Sequence, residues 1–246
     1  MEIVETPTGA GSQAARGTCP SCTVRAFCFG HGADATALEQ LDQAVERRLR
    51  VSTGEYLYRI GDPFKSLYAI RSGCLRNTIR DDRGREQVVG FHMMGDVIGV
   101  AGIGPRTYIF DMCALEQSEV CEVPFDRLEE LADRVPALRG NILKIFGRYR
   151  NRDARTQSLR RNVSAQGRLA GFLLDYSRRL EALGQDPANF RLPMSRGDIA
   201  SYLGLSLGAL GKAFTQLEES GIAKASGKAI AVYALEGLQS LAGSSA

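Results

Sequence analysis

Four cysteines constrain this chain more than any other feature. Cys19, Cys22 and Cys28 crowd into one short N-terminal segment with the spacing C-x2-C-x5-C, and Cys121 lies far downstream, just before a Pro-Phe. Four thiolates drawn from one loop and one distant point complete the coordination shell of an iron-sulfur cluster or a zinc ion. Four-cysteine zinc sites usually arrive as two close pairs, so three close ligands and one remote favour a cluster. Phe27 and Phe29 bracket Cys28 and can either shield a bound group or pack on a neighbouring domain, while Gly30 and Gly32 leave the loop free to wrap. Cys74, after a turn glycine in a strand-like run, reads as a small buried hydrophobe. Cys113 is the rival of Cys121 for the fourth position.

At 246 residues the chain is long enough for two ordinary domains, and its 44% hydrophobic and 24% charged residues are those of a soluble globular protein. A formal net charge of +3 permits a nucleic-acid partner without demanding one. No apolar run is long enough to span a membrane, and MEIVETPTGAGSQAARG lacks the basic-then-apolar order of a secretory signal, so the reading is a cytoplasmic protein. In that reducing compartment clustered cysteines are more often metal ligands or redox sensors than disulfides. No catalytic constellation is visible, so no enzyme is expected. His31 and His92 fall outside any Ser/His/Asp or metal-ligand pattern and read as surface or turn residues.

The pattern divides the chain into a flexible N-terminus (1–18), a β-roll or jelly-roll domain (19–134), a long helix (135–163) and a C-terminal helix-turn-helix domain (164–246), an α+β fold. Residues 36–49 place Leu38, Leu41, Val45 and Leu49 on one helical face behind Thr36. From Val51 to Phe125, short β-like runs alternate with turns expected at Gly61, Gly73, Gly84 and Gly95. Beyond a short helix interrupted by Pro136, Leu138, Ile142, Ile145 and Tyr149 form an apolar stripe. It suits either a helix packed on its own barrel or a dimer helix. The basic run that follows (Arg148, Arg150, Arg152, Arg155, Arg160, Arg161) reads as a solvated face that can also weaken a dimer by repulsion.

In SRGDIASYLGLSLGALGKAFTQLEESG, Ser195 caps a first helix, Ile199, Ala200 and Leu203 face inward, and Gly204 turns the chain. Leu205, Leu207 and Leu210 then pack the second helix back, as a helix-turn-helix requires. The apolar strands around Ser226-Gly227 supply a wing. An ordinary helical hairpin has the same local pattern.

With these pieces in place, the chain resembles the FNR branch of the CRP/FNR family of transcription regulators from Cys19 to about Tyr233. The resemblance rests on the cysteine triplet, K-S-L-Y-A-I-R-S-G (Lys65 to Gly73), G-F-H-x-x-G-D (Gly90 to Asp96), V-C-E-V-P-F (Val120 to Phe125) and R-G-D-I-A-S-Y-L-G-L (Arg196 to Leu205). It implies an oxygen-responsive global regulator and activator whose metal ligands are Cys19, Cys22, Cys28 and Cys121. A 4Fe-4S cluster, converted by oxygen to a 2Fe-2S form and then lost, would control homodimerisation and binding to double-stranded, palindromic promoter DNA. In the family the fourth ligand stands at the position of Cys121, and Cys113 has no counterpart. The implied dimer residues are Arg139, Ile142, Ile145, Tyr149 and Asp153, with Asp153 opposing dimerisation. The implied DNA-binding residues are Ser206, Gly208, Gly211, Lys212, Thr215 and Gln216, and the loop Asp81 to Gln87 would meet RNA polymerase.

At Gly208, Gly211 and Lys212 the family shows Glu, Ser and Arg as base readers, so specificity for the usual half-site is in question. Cyclic nucleotide, the ligand of the sister branch, is not expected. Arg106-Thr107 resembles its phosphate pair, but the Glu of its Gly-Glu motif is missing from Gly95-Asp96-Val97-Ile98-Gly99. Two alternatives remain: a thiol or zinc redox switch on the same fold, and a cluster-binding module with altered or lost DNA specificity.

Overall fold

The structure, a computed structural model, describes residues 17–81, 84–161 and 164–243; the reading of residues 1–18 as a flexible lead-in falls, but for its last two, outside the described residues. Two four-stranded antiparallel sheets form a β-roll. One runs β1 (Arg47–Val51), β8 (Ser118–Pro124), β3 (Ser66–Ser72), β6 (Val97–Ile98). The other runs β2 (Tyr56–Tyr58), β7 (Asp111–Ala114), β4 (Cys74–Arg80), β5 (Glu86–Met93). Leu67, Ile70, Leu75, Met112 and Val120 are all but inaccessible between them, each such side chain contributing about 1.5–3 kcal/mol of burial. Turns fall at Gly61, Gly73, Gly84 and Gly95, as the sequence predicts.

The helix expected over residues 36–49 stops early. It spans Ala35–Ala44 (α1) and is capped by Asp34 rather than Thr36, with Asp34 Oδ1 accepting from the Ala37 amide at 2.8 Å. Val45 and Leu49 satisfy a helical and an alternating pattern equally well. Pairing decides between them: Arg47–Val51 lies antiparallel to Ser118–Glu122, with Arg47 on Glu122 at 2.7 Å and Arg50 on Glu119 at 3.2 Å.

Two helices follow, α2 (Phe125–Arg134) and α3 (Pro136–Arg161). Pro136 opens α3 rather than interrupting a helix, because its missing N–H costs nothing in a first turn. Leu138 and Ile145 are buried against the chain's own roll, with Ile142, Phe146 and Tyr149 half-buried beside them.

The C-terminal unit comprises α4 (Ala165–Ala182), β9 (Asn189–Arg191), α5 (Arg196–Leu203), α6 (Leu207–Glu219), β10 (Ala223–Ser226), β11 (Ala229–Val232) and α7 (Leu235–Ala242). A capping box starts α5: Ser195 Oγ accepts from the Asp198 amide at 3.0 Å, and the Asp198 carboxylate accepts from the Ser195 amide at 2.9 Å. Gly204, at φ 64°, ends it and sets the turn into α6. Leu210, Ala213 and Leu217 face the core, whereas Leu207, expected to pack inward, is 62% exposed because the first turn of α6 projects past that core.

The two units share a core. Val88, Phe91 and Met93 of β5 pack with Phe172, Leu173, Ile199, Leu203 and Leu210, and the Phe91 ring lies 5.1 Å from that of Tyr202. Polar contacts follow the same seam: Arg76 bridges Glu86 at 2.7 Å and also Asp198, and the Val88 amide donates to Ser201 Oγ at 2.9 Å. The basic run of α3, expected to be solvated, is partly consumed here. Arg152 meets Asp96, Arg155 meets Asp175 at 3.4 Å, and Arg160 donates to the carbonyls of Tyr202 (2.8 Å) and Val88 (3.0 Å).

His92, expected at a surface or turn, is only 6% exposed on β5, whose C-terminal half is buried on both faces. Arg152 Nη1 lies 3.4 Å from His92 Nδ1, which places the ring proton of the neutral imidazole on Nε2. Burial, reinforced by Arg152, pushes the His92 pKa down to about 3. An unfolded chain therefore takes up a proton below about pH 6.5 that the folded chain refuses, and stability falls with acidity from there towards pH 3. In urea unfolding of the metal-free chain between pH 6 and 4, His92→Gln should remove about 1.4 kcal/mol of slope per pH unit. Identical slopes in the two proteins would contradict a neutral, buried His92.

Candidate metal centre and nucleic-acid interface

Cys121 sits near the middle of β8, opposite Arg48 of β1 and Ala69 of β3. The N-terminal loop crosses this spot. Its position is held by the Cys19 amide, which donates to Asp42 Oδ1 at 2.7 Å, by an ion pair between Arg48 and that carboxylate, and by buried Val24 and Phe29. Asn141 of α3, 3% exposed, donates from Nδ2 to the carbonyls of Phe29 and His31, each at 2.7 Å. The segment after Cys28 is thus tied directly to the long helix, a link that no sequence pattern signalled.

The loop closes a cavity lined by Cys19, Cys22, Cys28 and Cys121 together with Phe29, Leu38 and Leu41. Cys113 is elsewhere, on β7 of the other sheet beside Arg76, and Cys74 is buried in the core shared with the C-terminal unit. Among the described residues no three His, Cys, Asp or Glu side chains converge on a point where they could hold one metal ion. The four cysteines line this one space, and a soft all-sulfur donor set suits an iron-sulfur group or zinc.

Burial raises the thiol pKa of Cys19 to about 12, with Asp42 adding to the effect. Burial likewise lifts Cys121 to about 11 against the pull of Arg71 and Arg48, and raises Cys28. Without a metal these thiols are protonated, and binding must release their protons. Of the four, Cys19 and Cys22 are half-buried and Cys28 and Cys121 buried.

The outward face of α6 carries Ser206, Leu207, Gly208, Gly211, Lys212, Thr215 and Gln216, all exposed. The Ser206 hydroxyl is engaged as the N-cap, accepting from the Ala209 amide at 3.1 Å, and a methyl built on Gly208 or Gly211 would meet nothing within 4 Å. The backbone of this face is therefore open to close approach, and Lys212 is the one cation among these residues. Arg196 braces the wing: its guanidinium stacks 3.6 Å above Phe214 and donates to the Gly227 carbonyl at 3.0 Å.

The implied dimer residues do not share one surface. Ile145 is buried in its own protomer, Ile142 and Tyr149 are half-buried, and Arg139 and Asp153 are exposed, with Arg139 paired to Asp133 at 2.6 Å. The outward face of α3 instead presents Leu143, 65% exposed, with Gly147, Arg150 and Ala154. The stripe at Leu138 and Ile145 hid this face because it was the stronger apolar signal.

Residues 48–135 match the family model for a cyclic nucleotide-binding domain, and residues 167–241 match that for a Crp-like helix-turn-helix domain. The chain is 36% identical over 225 residues to the transcriptional activator protein anr of Pseudomonas aeruginosa, covering 92% of each. It is also 36% identical over 225 residues to the fumarate and nitrate reduction regulatory protein of Escherichia coli, covering 92% of this chain and 90% of that one. The chain belongs to the CRP/FNR family of transcription regulators. Among solved structures, FixK2 of Bradyrhizobium japonicum superposes with a TM-score of 0.73 at 27% identity, covering 81% of this chain and 98% of that one. The protein is accordingly an FNR-like, DNA-binding regulator and not an enzyme. None of its described helices is long and apolar enough to cross a membrane.

A charged alkylating reagent applied to the metal-free, folded chain should label Cys22 first, since the Cys19 thiolate is disfavoured by burial. Cys74 and Cys113 should react only on unfolding. Mass mapping that finds either of them labelled early would refute this placement.

Proposed function

We propose that this chain is an oxygen-responsive transcription regulator of the cytoplasm whose Cys19, Cys22, Cys28 and Cys121 hold a 4Fe-4S cluster. The observation that carries the reading is the convergence of these four thiols, and of neither other cysteine, on one cavity under the N-terminal loop. The names of the relatives from Pseudomonas aeruginosa and Escherichia coli, a transcriptional activator and a regulatory protein, support its regulatory part. When bound, the cluster supplies the oxygen-labile centre, 4Fe-4S without oxygen and 2Fe-2S after exposure.

The chain's own residues do the rest. Cys121 would hold the group from a central strand, and Cys19, Cys22 and Cys28 would hold it from the loop. Arg48 and Arg71, both acting on Cys121, offset the negative charge that four thiolates bring. Asn141 then conveys the seating of residues 29–31 to α3. Dimerisation uses the outward face of α3 around Leu143, Gly147 and Ala154, with Ile142 and Tyr149 at its margin, Arg139 near its start and Asp153 as a charge to be accommodated. Two α6 helices then enter successive major grooves of a palindrome about one helical turn apart. The surface offered to RNA polymerase is the loop Asp81 to Gln87, of which Asp82 and Arg83 lie outside the described residues. Cyclic nucleotide is not the ligand on this reading: Tyr58 and Tyr108 stack at 3.9 Å across the roll interior, and Arg106 faces Asp126 at 4.0 Å.

Anaerobic reconstitution should load about four iron and four sulfide per chain, with visible absorbance that bleaches in air and a dimer that reverts to monomer. Cys121→Ser should lose the iron while Cys113→Ser keeps it. Zinc uptake, or reversible disulfide formation without metal, would make this a thiol-based switch instead.

The recognition helix generates a separate expectation. With Gly208, Gly211 and Lys212 in place of the family's Glu, Ser and Arg, each missing bidentate contact forfeits about 1–3 kcal/mol of base discrimination. Selection from random duplexes with the loaded protein should return a palindrome whose half-site differs from the usual one. Recovery of no consensus would favour a module that has lost sequence readout.

A further inference from the structure

A single glycine is where the cysteine loop, the roll and the C-terminal unit meet. Gly95, at φ 88°, turns the chain between β5 and β6. A methyl built on it would lie 2.8 Å from Phe27 Cβ and 3.6 Å from Leu183 Cδ2. Phe27 immediately precedes Cys28, and Leu183 is the C-cap of α4. The bare glycine lets the aromatic residue of the loop rest on the turn itself.

The next residue is Asp96, whose carboxylate is 12% exposed and carries a heavy load. Arg152 of α3 forks onto it, Nη2 to Oδ1 at 2.6 Å and Nη1 to Oδ2 at 2.9 Å. Arg179 of α4 donates to Oδ2 at 2.5 Å, and the Met93 amide donates to the same oxygen at 2.9 Å. Burial alone would raise the Asp96 pKa, yet Arg179 and Arg152 hold it well below the usual carboxylate range. One anion therefore balances two largely buried cations from two different helices. Such a cluster is sharply sensitive to displacement, because separating either pair leaves a charge in a poorly solvated place.

We propose that Phe27 and Asp96 are positioning residues that carry the seating of the cysteine loop to the DNA-binding unit. Phe27 holds the Gly95 turn, the turn aims the Asp96 carboxylate, and the carboxylate sets the placement of α4 against α3 and the roll. Because α4 packs on α6, the recognition helix inherits that placement. This link is distinct from the Asn141 contact, which reaches only α3. Its cluster-dependent part rests on the proposed function; its mechanical part does not.

Two measurements separate those parts. In the metal-free chain, Phe27→Ala and Asp96→Asn should each speed amide exchange in peptides from the 93–98 turn and the C-terminal half of α4 by about tenfold or more, leaving β1 and β8 protected. Phe27→Leu should restore protection. Unchanged exchange in α4 for both variants overturns the link whatever the cofactor proves to be. In the reconstituted protein, Phe27→Ala should keep wild-type iron content. The ratio of loaded to metal-free affinity for a palindromic duplex selected with the wild-type protein should fall at least about fivefold towards unity. A fully retained ratio overturns the link. A wild-type protein with no such ratio refutes the proposed function instead, and the exchange result then decides the link alone.

Discussion

The register of β8 is the constraint on which the rest depends. This strand pairs with β1 on one side and β3 on the other, so its position is set by backbone hydrogen bonds on both edges, and Cys121 is fixed between Arg48 and Ala69. A one-residue slip would turn Cys121 to the opposite face and bury Glu122 beneath the loop. The slip is opposed by the environment of Glu122 itself, whose carboxylate accepts from Arg47 Nε at 2.8 Å and Ser66 Oγ at 3.1 Å. The acidic neighbour of the candidate ligand thus acts as a register pin. The rigid member of the thiol set is supplied by the roll, and the three adaptable members come from a loop.

How much of this was legible in the sequence depends on how local each determinant is. The helix cap at Ser195, the turn at Gly204 and the hairpin at Ser226-Gly227 are short-range chemistry, and the structure shows them where the sequence reading put them; the reciprocal bond from Asp198 that completes the cap was not read. Failures occur where two periodicities coincide or where the partner is remote. Residues 45–49 fit helix and strand alike until Glu119 and Glu122 are brought beside them. Arg152 and Arg160 looked solvated because only Asp153 opposes the basic run nearby in the chain, whereas in space Asp96 meets Arg152 and the carbonyls of Tyr202 and Val88 meet Arg160; Arg155, 70% exposed beside Asp175, is solvated as read. The burial of His92 and the two hydrogen bonds of Asn141 are likewise tertiary facts. For the candidate site, the cysteine spacing pointed to the thiols, but the contacts that give the loop mechanical consequence carried no sequence signal.

The recognition helix shows a different economy. Gly208 and Gly211 each weaken an exposed helix by about 1 kcal/mol relative to Ala, yet α6 is held by its Ser206 cap, by Leu210, Ala213 and Leu217 beneath it, and by the stacked Arg196 at Phe214. The framework of a DNA-reading helix is therefore intact although its long polar side chains are missing. Close backbone approach, the Lys212 charge and exposed Leu207, suited to a thymine methyl, are what this face offers a duplex.

The loop that closes the thiol cavity is short of secondary structure and is held mainly by a few discrete contacts: Asp42 at its start, Val24 and Phe29 in its middle, Asn141 at its end. Segments held in this way open locally at a free-energy cost well below that of global unfolding. Thiolates bound to a metal group would add to those contacts and hold the loop shut more strongly than they do alone. On the proposed function, the free-energy difference between the metal-free and loaded states falls on residues 19–31. On that reading the responding helices, α3 and α4, are tied to that segment through Asn141 and the Gly95 turn. A switch arranged in this way needs no strain stored in the roll, whose strands can stay paired while the loop alone changes state.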